Sequence, residues 1–130
     1  MNEKKFILEL YNVLKDFIVY DDLLPEIVKL LKKSGCEKAF LALLFTRLRF
    51  LSKEGVLATR HQEYELLGDG VYSMHVVVRT LNIRILYMFF PGQAPVLLHA
   101  FFEREGHNNT DYSGKIRLAQ DRFQELKEEL

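Results

Sequence analysis

Apolar residues recur with a helical period through the first half of the chain and with a period of two through the second. From Leu23 the stripe Leu23, Leu24, Ile27, Val28, Leu30 and Leu31 keeps helical spacing and stops at Ser34-Gly35. Asp21-Asp22 stand as its N-cap, and Pro25 falls in the first turn, where its missing N–H costs nothing. A second helix is predicted from about Glu37 to Glu54, ending at Gly55. At about 100° per residue, Phe40, Leu41, Leu44, Phe45, Leu48 and Leu51 share one broad face. Lys38, Thr46, Arg49 and Lys53 form a cationic ridge opposite, of the kind that is ordinarily solvated. Leu43 and Phe50 lie on a flank, where they either widen the core contact or await a partner. Before Leu23 the pattern leaves two readings open: Lys5 to Tyr11 is rich in β-compatible residues, and a helix running on toward Tyr20 fits almost as well.

After Gly55 the period changes. Gly68-Asp69-Gly70 is a turn signal, and Val71 to Arg79 is a strand with Tyr72, Met74, Val76 and Val78 on one face. Ser73, His75, Val77 and Arg79 take the other face. Thr80 to Asn82 connects it to a strand from Ile83 to Phe90, with Ile83, Ile85, Tyr87 and Phe89 opposed to Arg84, Leu86 and Met88. Pro91-Gly92 turns into a third strand, Val96 to about Phe102, which is apolar on both faces and so expected at the centre. A polar loop, Glu105 to Thr110, precedes a last helix from about Tyr112 to Leu130, with Ile116, Ala119, Phe123 and Leu126 at helical spacing. The prediction is a single α+β domain: N-terminal helices packed on one face of a small antiparallel sheet, followed by a C-terminal helix. The helices should cover the face of Tyr72, Met74, Ile85 and Tyr87, leaving His75, Arg79 and Arg84 together on an open face.

Composition narrows the class. Of 130 residues, 48% are hydrophobic and 28% charged, the balance of a folded domain and not a disordered chain. The 18 Lys plus Arg cancel the 18 Asp plus Glu, which weighs against bulk polyanion binding and leaves only local basic patches. The lone Cys36 excludes an internal disulfide and a multi-cysteine zinc site. With no bilayer-length apolar run and no signal-peptide cleavage pattern in MNEKKFILEL, a cytoplasmic protein without a membrane partner is expected.

No phosphate-binding glycine loop, paired-histidine metal motif or nucleophile elbow is present, and His61, His75, His99 and His107 are dispersed. No metal or cofactor is therefore expected. What remains is a set of Arg, His and Tyr side chains suited to cleaving RNA through its own 2′-hydroxyl: arginine stabilises charge on the phosphate while His or Tyr moves protons. Each has a plainer explanation. Arg84 beside a turn can pair with a surface carboxylate, His75 can be a passive strand residue, and His99 in the most apolar strand fits a hydrogen-bonded core histidine. Tyr87 fits a core tyrosine, and Tyr112 a helix-start contact.

The run LLGDGVYSMHVVV, then NIRILYMFF, then VLLHAFFERE and a terminal helix resembles the HigB branch of the RelE/ParE toxin superfamily, including its phage-derived toxin-like members. The likeness spans roughly residues 37–126. It implies helices on one face of an antiparallel sheet and a type II toxin–antitoxin function. It further implies a ribosome-dependent mRNA interferase that cuts without metal, with a helix-turn-helix antitoxin partner in a hetero-oligomer. Carried over by position, Arg84 matches the strand arginine that contacts the scissile phosphate, and Arg104 the basic residue after the last strand. His75 falls where the family usually has Arg or Lys, His99 on the LLHxF histidine, and Tyr112 near the C-terminal catalytic tyrosine. The implied catalytic set is Arg84, His75, Arg104, Tyr112 and His99. The implied RNA-contacting set is Lys53, Arg60, His61, Arg79 and His107.

The chain departs from this pattern in two places. The family's Lys-Lys pair after LLHxF reads Glu103-Arg104, and the net charge is zero, which weakens phosphate contact. A non-catalytic binding module therefore stands as the rival: a ParE-like inhibitor of a protein target, a degenerate toxin, or a phage accessory protein.

Overall fold

The computed structural model describes residues 1–92, 94–103 and 112–130. Four helices and five strands follow one another as α1 (Glu3–Leu14), β1 (Ile18–Val19), α2 (Leu23–Leu31), α3 (Glu37–Glu54), β2 (Tyr64–Gly68), β3 (Val71–Val78), β4 (Leu81–Phe89), β5 (Pro95–Phe102) and α4 (Tyr112–Glu129). The segment left open in the sequence is both helix and strand. Asn2 caps α1 by accepting the Lys5 N–H at 2.9 Å, and Phe6, Leu10 and Leu14 recur every fourth residue on its buried side. A two-residue strand follows.

The sheet order is β1-β5-β4-β3-β2, with β2 to β5 an antiparallel meander and β1 parallel to β5. The sheet is therefore mixed and five-stranded, where a three-stranded antiparallel one was expected. β4 takes the centre in place of β5. The β2–β3 hairpin turns on Asp69-Gly70, both at positive φ, which matches the right-handed twist of the strands it joins. The β3–β4 turn is Arg79-Thr80, so Arg79 belongs to the turn and Leu81 already to the next strand.

α1, α2 and α3 pack on one face as expected. Leu10, Ile27, Phe40 and Leu44 meet Met74, Val76, Ile85 and Tyr87 in the larger core. The flanking Leu43 and Phe50 are half-buried against this core, which selects the wider-contact reading. The second face is not open. α4 lies across it, and Val71, Leu86, Val96, Leu98, Phe101 and Ala119 form a smaller core, with Ile116 and Phe123 packed around it.

A bulge decides what β5 presents. Leu86 pairs with His99 but Tyr87 pairs with Leu97, so Leu98 is the extra residue and Leu98 and His99 both turn toward α4. β1 covers β5 only at Val96 and Leu97. Beyond them two side chains take over the edge: Glu26 of α2 accepts the Ala100 N–H at 3.2 Å, and Arg122 of α4 donates to the Leu98 carbonyl at 2.9 Å. Glu26 and Arg122 also pair with each other at 2.9 Å. No helix among the described residues is long and apolar enough to cross a membrane.

Candidate active site

Strand register brings His75 and Arg84 together, because they are direct partners across β3 and β4 and project to the α4 side. With Tyr112 from the first turn of α4 and Glu65, Leu66 and Leu67 from β2, they line a cavity of ≈ 330 Å³. Three of the five residues given catalytic roles thus meet in one place.

Arg84 is only 8% exposed, yet it is not an unpaired buried charge. Its Nη1 donates to Asn82 Oδ1, and its Nε lies 3.8 Å from Glu103 Oε2. The same Glu103 oxygen accepts the Tyr112 hydroxyl hydrogen. Glu103 is the residue of this cluster that sequence reasoning passed over. It appeared there as half of a missing lysine pair, and nothing in a strand-end Phe-Glu-Arg announces a buried carboxylate.

The proton carriers are tuned apart. Burial first, then the neighbouring Arg84 charge, lowers the His75 pKa below the ordinary 6.5, with Glu65 only partly offsetting them. His75 is therefore neutral at pH 7; its Nε2 stands 3.7 Å from Glu65 Oε1. Tyr112 moves the opposite way, pushed up to about 12 by burial and by its hydrogen bond and proximity to Glu103. A neutral imidazole that can take a proton thus shares the cavity with a phenol that keeps one and with a guanidinium.

The remaining assignments fall elsewhere. His99, 7% exposed, sits in the edge network instead of the cavity: with hydrogen on Nδ1 it donates to Glu26 Oε1 at 3.0 Å, and Nε2 accepts from Lys115 at 3.3 Å. It stacks on Phe101 with the ring centroids 5.5 Å apart. That is the hydrogen-bonded core histidine, not a group facing the cavity. Tyr87, fully buried in the main core, is likewise the core tyrosine. Arg79 is exposed at the β3–β4 turn, Lys53 borders a cleft between α1 and α3, and Arg60 ends the 3₁₀ turn Gly55–Arg60 on the helical side. None of these lines the cavity of Arg84. His61 follows that turn, exposed, against Phe50. Arg104 and His107 lie outside the described residues.

Among the described residues no cluster of three or more His, Cys, Asp or Glu side chains is placed to hold a metal ion. No protein-family model matches the chain, and no curated protein matches it.

Proposed function

We propose that the protein is a HigB/RelE-like toxin, an endoribonuclease that cleaves ribosome-bound mRNA in the cytoplasm and is held by an antitoxin. The observation that carries this reading is the convergence of His75, Arg84 and Tyr112 on one cavity. In the proposed reaction His75, neutral at pH 7, accepts the proton of the RNA 2′-hydroxyl. The 2′-oxygen forms a bond to phosphorus as the bond to the 5′-oxygen breaks, leaving a 2′,3′-cyclic phosphate. Tyr112 delivers its proton to the departing 5′-oxygen, and Arg84 stabilises the charge gathering on the non-bridging oxygens. For this, a phosphate oxygen must replace Glu103 among the partners of Arg84.

That requirement favours a second reading. Glu103 cancels the charge of Arg84, and Glu65 adds a further carboxylate to the same cavity. A site so neutralised suits a toxin fold retained as a non-catalytic binding module.

Inducible expression in a bacterial host separates the two, with wild type beside Arg84→Ala and primer extension on abundant messages. Growth arrest with new cuts that vanish in Arg84→Ala is the expected result. Arrest without cuts, or cuts that persist in the variant, would sink the nuclease reading.

A further inference from the structure

On the helical side of the same sheet edge, where α3 meets the start of β2, Thr46, Arg47, Phe50, His61, Glu63 and Tyr64 line an open cleft of ≈ 180 Å³. Its walls are aromatic. Phe50 stacks on Tyr64, with centroids 5.5 Å apart and planes at 27°. His61 meets Phe50 edge-on at 4.6 Å and 83°, so the two rings form a right-angled corner. Tyr64 is pinned from behind, its hydroxyl donating to the Arg47 carbonyl at 2.6 Å, while His61 is exposed. A flat heterocycle laid on one ring of such a corner meets the other edge-on, and both are favoured aromatic geometries. Arg47 and Glu63 supply a guanidinium and a carboxylate that can read the donors and acceptors of a base edge.

The corner is joined to the Arg84 cavity through one residue. Arg47 Nε donates to the His75 carbonyl at 2.9 Å, and the His75 N–H donates to the Glu63 carbonyl at 2.8 Å. The backbone of His75 therefore anchors the rim of the corner while its side chain lines the cavity with Arg84. Tyr64 lines the corner and Glu65 the Arg84 cavity, so the two cavities flank the same edge strand on its opposite faces.

We propose that the Phe50–His61 corner is a base-binding subsite, which stacks one unpaired base of an RNA strand that also reaches Arg84. The choice of RNA rests on the nuclease reading; the aromatic corner with its polar rim stands independently of it. A base inside a duplex is already stacked on both faces, so the subsite takes an unpaired base of single-stranded RNA.

The test uses the full chain and a short, fluorescein-labelled single-stranded oligoribonucleotide, 2′-O-methylated throughout so that its own 2′-oxygens cannot attack. His61→Ala, at an exposed position, weakens binding roughly 5- to 100-fold, the worth of one base–aromatic stack. Phe50→Leu does the same while keeping an apolar side chain against the core. Removing the base at one position of the strand weakens wild-type binding by a similar factor. In His61→Ala that abasic strand loses nothing further. Additive losses, equal binding by wild type and both variants, or no binding of the strand by wild type each overturn the subsite. Non-additive losses without message cleavage in cells remove the nuclease and leave the subsite; cleavage in cells with additive losses does the reverse.

Discussion

Arg84 and Glu103 stand as a charge-neutral pair at the floor of the candidate site, Nε 3.8 Å from Oε2, with the Glu103 side chain only 2% exposed. Because Tyr112 donates to that same carboxylate, one residue sets the field at the arginine and adds to the burial that raises the proton affinity of the phenol. Glu103→Gln removes the charge and keeps the shape. The Tyr112 pKa should then fall from about 12, though burial keeps it above the ordinary 10.0. Nuclear magnetic resonance titration of the tyrosine ring carbons reads this directly. Leaving Arg84 without its counter-ion should cost about 3–5 kcal/mol of stability, measured by urea unfolding. Polyanion affinity should rise at the same time. An unmoved Tyr112 titration would separate the phenol from Glu103.

His75 gives the site an acid limit. Its folded pKa lies below 6.5, so between that lower value and 6.5 the unfolded chain binds more protons than the native one. The stability contribution is thus complete above 6.5 and is lost as pH falls through the folded value. Urea unfolding at a series of pH values between 7.5 and 5 should show this decline in wild type and a flatter curve in His75→Gln. If the nuclease reading holds, kcat/KM declines over the same window, since only the neutral imidazole accepts a proton. Parallel stability curves in the two proteins would refute the assignment.

A carboxylate also governs the far edge of the sheet. Burial raises the pKa of Glu26, but the hydrogen bonds from His99, the Ala100 N–H and Arg122 outweigh it, so the net shift is downward from 4.5. Its contribution is present above 4.5 and lost as pH falls through the depressed value. Glu26→Gln should cost about 1.5–3 kcal/mol near neutral pH, the range for a hydrogen bond to a charged group. Guanidinium unfolding curves for variant and wild type should converge in acid. His99→Ala should likewise lower stability without abolishing any activity that depends on Arg84. Loss of activity in a fully folded His99→Ala protein would return His99 to the catalytic set.

The pairing of His75 with Arg84 was legible because period-two alternation and a short hairpin leave parity as the only variable. The bounds of α3 were legible to the residue, since Gly55, at a φ of 57°, closes the helix, but Phe45, placed on its apolar face, is exposed. β1 was not, because two residues carry no period and their pairing to β5 is non-local. β2 was hidden too: Tyr64 is buried but Glu65 and Leu66 are both exposed, so its burial does not alternate. The role of His99 turned on strand order: β5 lies on the other side of β4 from β2, so His99 meets Glu26 and not the cavity beside β2, and that order is non-local. The stripe of α4 was visible, but not the sheet face it covers, which is why His75 and Arg84 were expected on an open surface.

α4 should be the first element to open. Ala119 is its one fully buried residue among those described, and Ile116 and Phe123 are only half-buried against the smaller core. α3 by contrast buries Phe40, Leu44, Leu48 and Leu51. Local opening follows buried apolar contact, so α4 amides should exchange with solvent faster than those of α3 and β4 in native-state hydrogen exchange. Phe123→Ala removes the ring that packs on Phe90 at 5.1 Å and should speed exchange in α4 while leaving β4 protected. Because Tyr112 opens this helix, the same motion should separate the phenol from Glu103 and, in the nuclease reading, uncover the guanidinium of Arg84 for a phosphate. Equal protection of α4 and β4 would mean that α4 leaves the cavity only with global unfolding, and in the nuclease reading substrate would have to reach Arg84 past a closed helix.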